Sequence, residues 1–131
     1  MPSKAQLLSK HQWENRILLV FAEQADNSLF VKQLTHFQED KVGLVDRDLV
    51  IYQIYEYQGT APNRKELYAE EVEELRIKYQ VAKGDFVVIL IGKDGGEKLR
   101  KTNELLTREL LYATIDVMPM RRAEMRRKKN D

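Results

Sequence analysis

Two short stretches concentrate side chains able to do chemistry. Lys93-Asp94-Gly95-Gly96 is followed closely by Lys98 and Arg100, and Asp116-Val117-Met118-Pro119-Met120-Arg121-Arg122 lies near the C-terminal end. Each sets a carboxylate among cations, which suits either an ion pair or a site for an anionic group. Gly92 to Gly96 is superficially like a phosphate loop, but a Walker loop needs Gly-x4-Gly-Lys-Ser/Thr ahead of a helix. These glycines instead join two strand-like segments, where Asp-Gly and Gly-Gly accept the positive φ of a hairpin. Ser28 and His36, a conceivable nucleophile and base, lie two turns apart on one helix. At 1.5 Å per residue that is roughly 12 Å, beyond the reach of a proton transfer. His11 and His36 are the only histidines, and Glu70 to Glu74 reads as a solvated helix face with a Glu74–Lys78 pair. No catalytic residue, metal ligand or cofactor site is assigned.

The chain of 131 residues has no cysteine. That excludes a disulfide framework, a thiolate zinc site, a CxxC redox motif and a cysteine nucleophile. Lys plus Arg number 22 and Asp plus Glu 21, so the total charge gives no reason to expect a nucleic-acid partner. The balance is uneven along the chain. From Pro119 to Asp131 the net charge is +4, leaving −3 on the rest. A solubilising, frayed C-terminal helix accounts for this segment, with contact to nucleic acid or an anionic surface as the alternative. The longest apolar run, Phe86 to Ile91, falls far short of the roughly 20 residues of a spanning helix. Met1 to Trp13 lacks the apolar core of a signal peptide. As written, the chain reads as soluble and cytoplasmic, or as exported if a leader was removed.

These residues must be positioned by a fold, and the hydrophobic pattern suggests one. Ile17 to Ala22, Leu49 to Tyr55 and Phe86 to Ile91 read as strands, the first and last of them buried on both faces. Asp26-Asn27-Ser28 offers a cap for a helix carrying Phe30, Leu34 and Phe37, ending near Asp40 with Gly43 as a chain reversal. A second helix is expected over Arg64 to Tyr79, with Tyr68, Val72, Leu75 and Tyr79 as its buried stripe. Glu97 to Lys101 returns from the Asp-Gly turn. Thr107 caps a last helix bearing Leu110, Leu111, Ile115 and Met118, which Pro119 ends or kinks. The order β-α-β-α-β-β-α, with two crossovers implying parallel pairing among the first strands, is a thioredoxin-like three-layer α/β/α sandwich with a mixed sheet. It forms one domain over 1–131.

In that layout a redox centre would lie where the first strand meets its helix. Here the position reads Glu23-Gln24-Ala25-Asp26-Asn27-Ser28, with no thiolate for a helix N-terminus to hold. The proline usual before the third strand is also missing from Val81-Ala82-Lys83-Gly84-Asp85. Thiol-disulfide and cysteine-peroxidase activity are thereby excluded.

Leu90-Ile91-Gly92-Lys93-Asp94-Gly95-Gly96-Glu97-Lys98-Leu99-Arg100 and Ile115-Asp116-Val117-Met118-Pro119-Met120-Arg121-Arg122-Ala123-Glu124-Met125 together resemble the bacterial domain-of-unknown-function family 4174. Arg16 to Ala22 and Arg47 to Val50 are similar to it too, so the resemblance covers about residues 10–127. It implies a thioredoxin-like fold without redox cysteines. It also implies kinship with a domain of sushi-repeat-containing extracellular-matrix proteins, where the role is adhesion or binding. The resemblance carries no catalytic residues.

The two motifs are expected to meet, with Asp116 or Asp94 pairing an arginine and Met118 and Met120 packed beneath. Either they lock the hairpin to the last helix, or Lys93, Arg100, Arg121 and Arg122 form an anion or peptide site. The favoured function is a redox-inactive binding module for an unknown protein or peptide partner. The alternatives are nucleic-acid or anionic-surface binding through the basic end, or an enzyme using Lys93, Asp94 or Asp116.

Overall fold

The structure, a computed structural model, describes residues 7–130. The segment weighed above for a leader lies partly outside them, as does Asp131. The fold is built around β1 (Arg16–Phe21), whose six residues are all buried. An unbroken apolar strand must be covered on both faces, which places it at the centre of a sheet. It pairs in parallel with β2 (Leu49–Ile54) and antiparallel with β5 (Val87–Ile91). With β3 (Gly59–Thr60), β4 (Glu66–Leu67) and β6 (Glu97–Thr102), the sheet order is β4-β3-β2-β1-β5-β6.

Alternate residues of β1 feed two cores, because successive side chains leave opposite faces of a strand. Ile17, Leu19 and Phe21 join Val72, Leu75 and Tyr79 of α3 (Ala69–Tyr79). Leu18 and Val20 join Phe30 and Phe37 of α1 (Ser28–Gln38) and Leu111 and Ile115 of α4 (Arg108–Asp116). The result is a three-layer mixed α/β fold. The expected caps form: Asn27 Oδ1 accepts from the Phe30 N–H at 3.0 Å, and Thr107 Oγ1 from the Leu110 N–H at 3.2 Å. Gln33, wholly buried, bridges α1 to the loop before α4 through both the N–H and the carbonyl of Leu106.

Several expectations are corrected. The second crossover is not parallel. Phe21 faces both Ile54, where β2 ends, and Val87, where β5 begins, so residues 55–86 return to the end of the sheet they left. The helix expected from Arg64 begins only at Ala69, because Glu66 and Leu67 pair with β3. Tyr68 is consequently an exposed residue before α3 rather than part of its buried stripe. Gly43 reverses nothing; it lies within α2 (Lys41–Asp46), with its N–H on Asp40 Oδ1 at 3.1 Å. Lys78 lies over the Tyr79 ring, 5.4 Å from its centroid, rather than against Glu74. The basic end is not frayed: it forms α5 (Pro119–Asn130), one side of which is buried.

Candidate functional site

α5 docks through charge rather than through an apolar stripe. Its buried residues are Arg121 (2% exposed) and Glu124 (4%). The spacing 121, 124, 128 places Arg121, Glu124 and Lys128 on one helix side. Glu124 reaches Arg16 at the start of β1 through two parallel bonds of 3.0 Å and takes a third, of 2.8 Å, from Lys93 Nζ. Arg16 is 1% exposed, so this fork is dry and two-pronged, the strong form of such a pair. Lys93 also pairs with Asp48 at 2.8 Å. Arg121 pairs with Asp46 at 2.6 Å and Asp116 at 2.9 Å, and Lys128 adds a further bond of 2.7 Å to Asp46. Arg47 holds Asp116 from the other side at 3.1 and 2.9 Å and stacks 3.7 Å above the Tyr112 ring.

The titration of these groups follows their surroundings. Burial alone would raise the Glu124 carboxyl, but the bonds from Arg16 and Lys93 outweigh it and hold the group below the usual range. The same opposition, with Arg47 and Arg121 as donors, lowers Asp116. Bonds from Lys128 and Arg121 bring Asp46 down to about 2. Burial opposes the charge of Arg121, yet Asp46 and Asp116 leave its pKa raised.

The β5–β6 turn is shaped by Gly95, at φ 86°, and by Asp94, whose carboxylate accepts from the Gly96 N–H at 2.9 Å and from Lys98 at 2.8 Å. Between this turn and the start of α5 opens a cleft of about 370 Å³, lined by Trp13, Gly92, Lys98, Met118, Pro119 and Met120, with Arg16 and Lys93 at its ionic wall. Trp13 stands 59% exposed at a positive φ of 71°, and its backbone N–H donates to the Lys93 carbonyl at 2.7 Å. A large side chain held in a sparsely populated backbone conformation by a neighbouring strand end is a common mark of a working surface.

Arg121 lies 3.9 Å from Glu124, which joins Lys93, Asp116 and Arg121 in one connected network, and Asp116 pairs with two arginines. Asp94 pairs with Lys98 instead. Met118 is half-buried, while Met120 is exposed at the cleft mouth rather than packed beneath the charges. Arg100 is not brought to the others: it bonds Glu97 and the Tyr79 carbonyl on the α3 side of the sheet. Arg122 is exposed and makes no ion pair among the described residues. The sequence reading missed Arg16, Asp46, Arg47, Asp48 and Glu124. The charged spacing along α5 was the available signal, together with an arginine heading the most apolar strand.

All of this lies at the amino end of β1. At its opposite end, Glu23 to Asp26 form an open hollow with Tyr55 to Gln58.

Comparison with known proteins places this architecture. The reduced 2-Cys peroxiredoxin of Plasmodium vivax matches with a TM-score of 0.57 at 12% identity, covering 93% of this chain and 84% of that one. At so low an identity the likeness concerns fold, which is thioredoxin-like, and not activity. Coiled-coil domain-containing protein 80 of Danio rerio is 27% identical over 133 residues, a match that takes in 90% of this chain but only 15% of that much longer protein. The family model described as Domain of unknown function (DUF4174) matches residues 7–124. That span takes in the β5–β6 turn, the Met-Pro-Met segment and Glu124 alike, and the chain belongs to the DUF4174 family.

Proposed function

We propose that this domain is a non-redox binding module that takes a peptide segment of a protein partner in the cleft between the β5–β6 turn and α5. The observation that carries the reading is the exposed indole of Trp13, on a backbone tied to Lys93, beside Met118, Pro119 and Met120. Exposed aromatic and methionine side chains around a concavity supply most of the energy where proteins meet. The ionic network beneath serves as the interlock that fixes α5, and with it one wall of the cleft. Its cations are spent on internal carboxylates, so they do not form the anion site.

The partner segment would be acidic as well as apolar. Arg122, Arg126, Arg127 and Lys129 of α5 are exposed and have no carboxylate partner among the described residues. They would attract a ligand carrying Asp or Glu beside its apolar anchor. A displayed random-peptide library tests this. Selection should enrich a large apolar residue next to acids, and retention should be lost with Trp13→Ala and Met120→Asp. An absence of consensus, or binding indifferent to both substitutions, would refute it.

The free cations also support a second reading, contact with a nucleic acid or anionic surface. That reading predicts binding that falls steeply with salt and ignores Trp13 and Met120.

A further inference from the structure

At the carboxyl ends of β1 and β2, remote from the α5 cleft, lies a buried cation of another kind. Arg76 is 5% exposed, yet no carboxylate among the described residues pairs with it. Its Nη2 donates to the carbonyls of Ala22 and Tyr55, each at 3.1 Å, and its Nη1 to that of Ala82 at 3.2 Å. These three bonds tie together the ends of two strands and the approach to a third. They are neutral acceptors, so they fix the guanidinium without matching its charge. Its Nε, sealed from solvent, has no hydrogen-bond partner among the described residues. Its charge is faced only at longer range, by the carboxylates of Glu56 and Glu23, and the guanidinium borders a cleft of about 440 Å³.

The cleft has three kinds of wall. Tyr57 and Ile77, 62% and 69% exposed, are apolar and unusually bare. Arg76 and Lys83 bring two cations, Lys83 resting 5.4 Å from the centre of the Tyr57 ring. Glu56 and Glu73 bring two acids. Two charges of each sign disfavour a simple anion, and the volume is that of a small-molecule site. Crevices at the carboxyl ends of sheet strands are the usual ligand position in α/β folds.

We propose that this cleft binds a small apolar zwitterion of the α-amino-acid type. The carboxylate would meet Lys83 and the Nη1 proton of Arg76 not given to Ala82, the ammonium would face Glu56 and Glu73, and the side chain would lie between Tyr57 and Ile77. This site is independent of the α5 cleft.

The test is a titration of the isotopically labelled chain with phenylalanine, followed by amide NMR. Saturable shifts are expected at Tyr57, Ile77 and Ala82, with half-saturation at or below about 1 mM. Phenylalanine amide and N-acetylphenylalanine, each missing one charge, should bind at least about tenfold more weakly, a difference of about 1.4 kcal/mol. Arg76→Met should abolish binding. Because that change also removes three structural bonds, Ile77→Asp at the exposed wall provides a second variant, expected to keep the native spectrum and lose the shifts. The proposal is overturned if those amides do not shift, if the two derivatives bind as well as phenylalanine, or if inorganic phosphate binds more tightly than phenylalanine.

Discussion

Replacing Glu124 with alanine gives the sharpest test of the interlock. The carboxylate serves two cations at once: Arg16, 1% exposed, and Lys93, 8% exposed. Lys93 keeps Asp48, but among the described residues Arg16 keeps only the Arg47 carbonyl at 3.0 Å. Stripping one partner from a buried pair costs about 3–5 kcal/mol, because the other charge stays dry and unmatched. The upper end applies if α5 stays down on Arg16; a helix that lifts and admits water brings the loss toward the lower end. With a urea slope of about 2 kcal/mol per molar, the middle of the usual range, the midpoint should drop by roughly 1.5–2.5 M. Removing the whole pair, as Arg16→Met with Glu124→Leu, should recover most of the loss, since a hydrophobic replacement of a buried ion pair is often neutral. Equilibrium urea unfolding of the native chain, Arg16→Met, Glu124→Leu and the double variant yields the coupling. A loss below about 1 kcal/mol in Glu124→Ala, or a double variant no more stable than the single, would refute the reasoning.

Acid should loosen α5. Asp46, brought down to about 2, and Asp116 and Glu124, both held low, have folded pKa values below their unfolded ones. Their stabilisation is complete above the ordinary carboxylate range near pH 4 and is lost as pH falls toward 2. Urea midpoints should therefore be flat from neutral to mildly acidic pH and then decline, with a shallower decline in Asp46→Asn. Gln33→Ala should cost about 2–3 kcal/mol in the same assay, because it leaves the Leu106 N–H and carbonyl unpaired in a dry core. The double change Arg122→Glu and Arg126→Glu should alter stability by no more than about 0.5 kcal/mol, as exposed substitutions do, while weakening any acidic peptide selected by the library.

Much of the fold was legible because it rests on apolar continuity. Ile17 to Ala22 and Phe86 to Ile91 could only be central strands, and Asn27 and Thr107 announced their helices through cap chemistry. Strand direction was not legible, because Val87 to Ile91 is apolar whichever way it runs. Its sense is set by the return of residues 55–86 to the end of β2. The two-residue strands β3 and β4 are too short to show a period, and α2 was hidden by Gly43 and by Val42 and Val45, which face solvent. The candidate site was half legible. Motif spacing picked out Lys93, Asp116 and Arg121. The pairing of Arg16 with Glu124 was not readable, because local spacing can mark each residue but not a partner more than a hundred positions away. Arg100 was misplaced for a related reason: its neighbour Leu99 packs on the α1 and α4 side, and the alternation of a strand sends Arg100 to the other.

Occupancy of the cleft beside α5 by a peptide can be read from the protein itself. Trp13 is the chain's single tryptophan and lines the cleft, so its fluorescence reports occupancy without a label. Titration with a library-selected peptide should shift the emission and saturate. Met120→Asp should raise the dissociation constant at least about tenfold, or 1.4 kcal/mol, with an unchanged urea midpoint. Emission that does not change as the peptide binds, or a Met120→Asp protein that binds as tightly as the native one, would contradict the account.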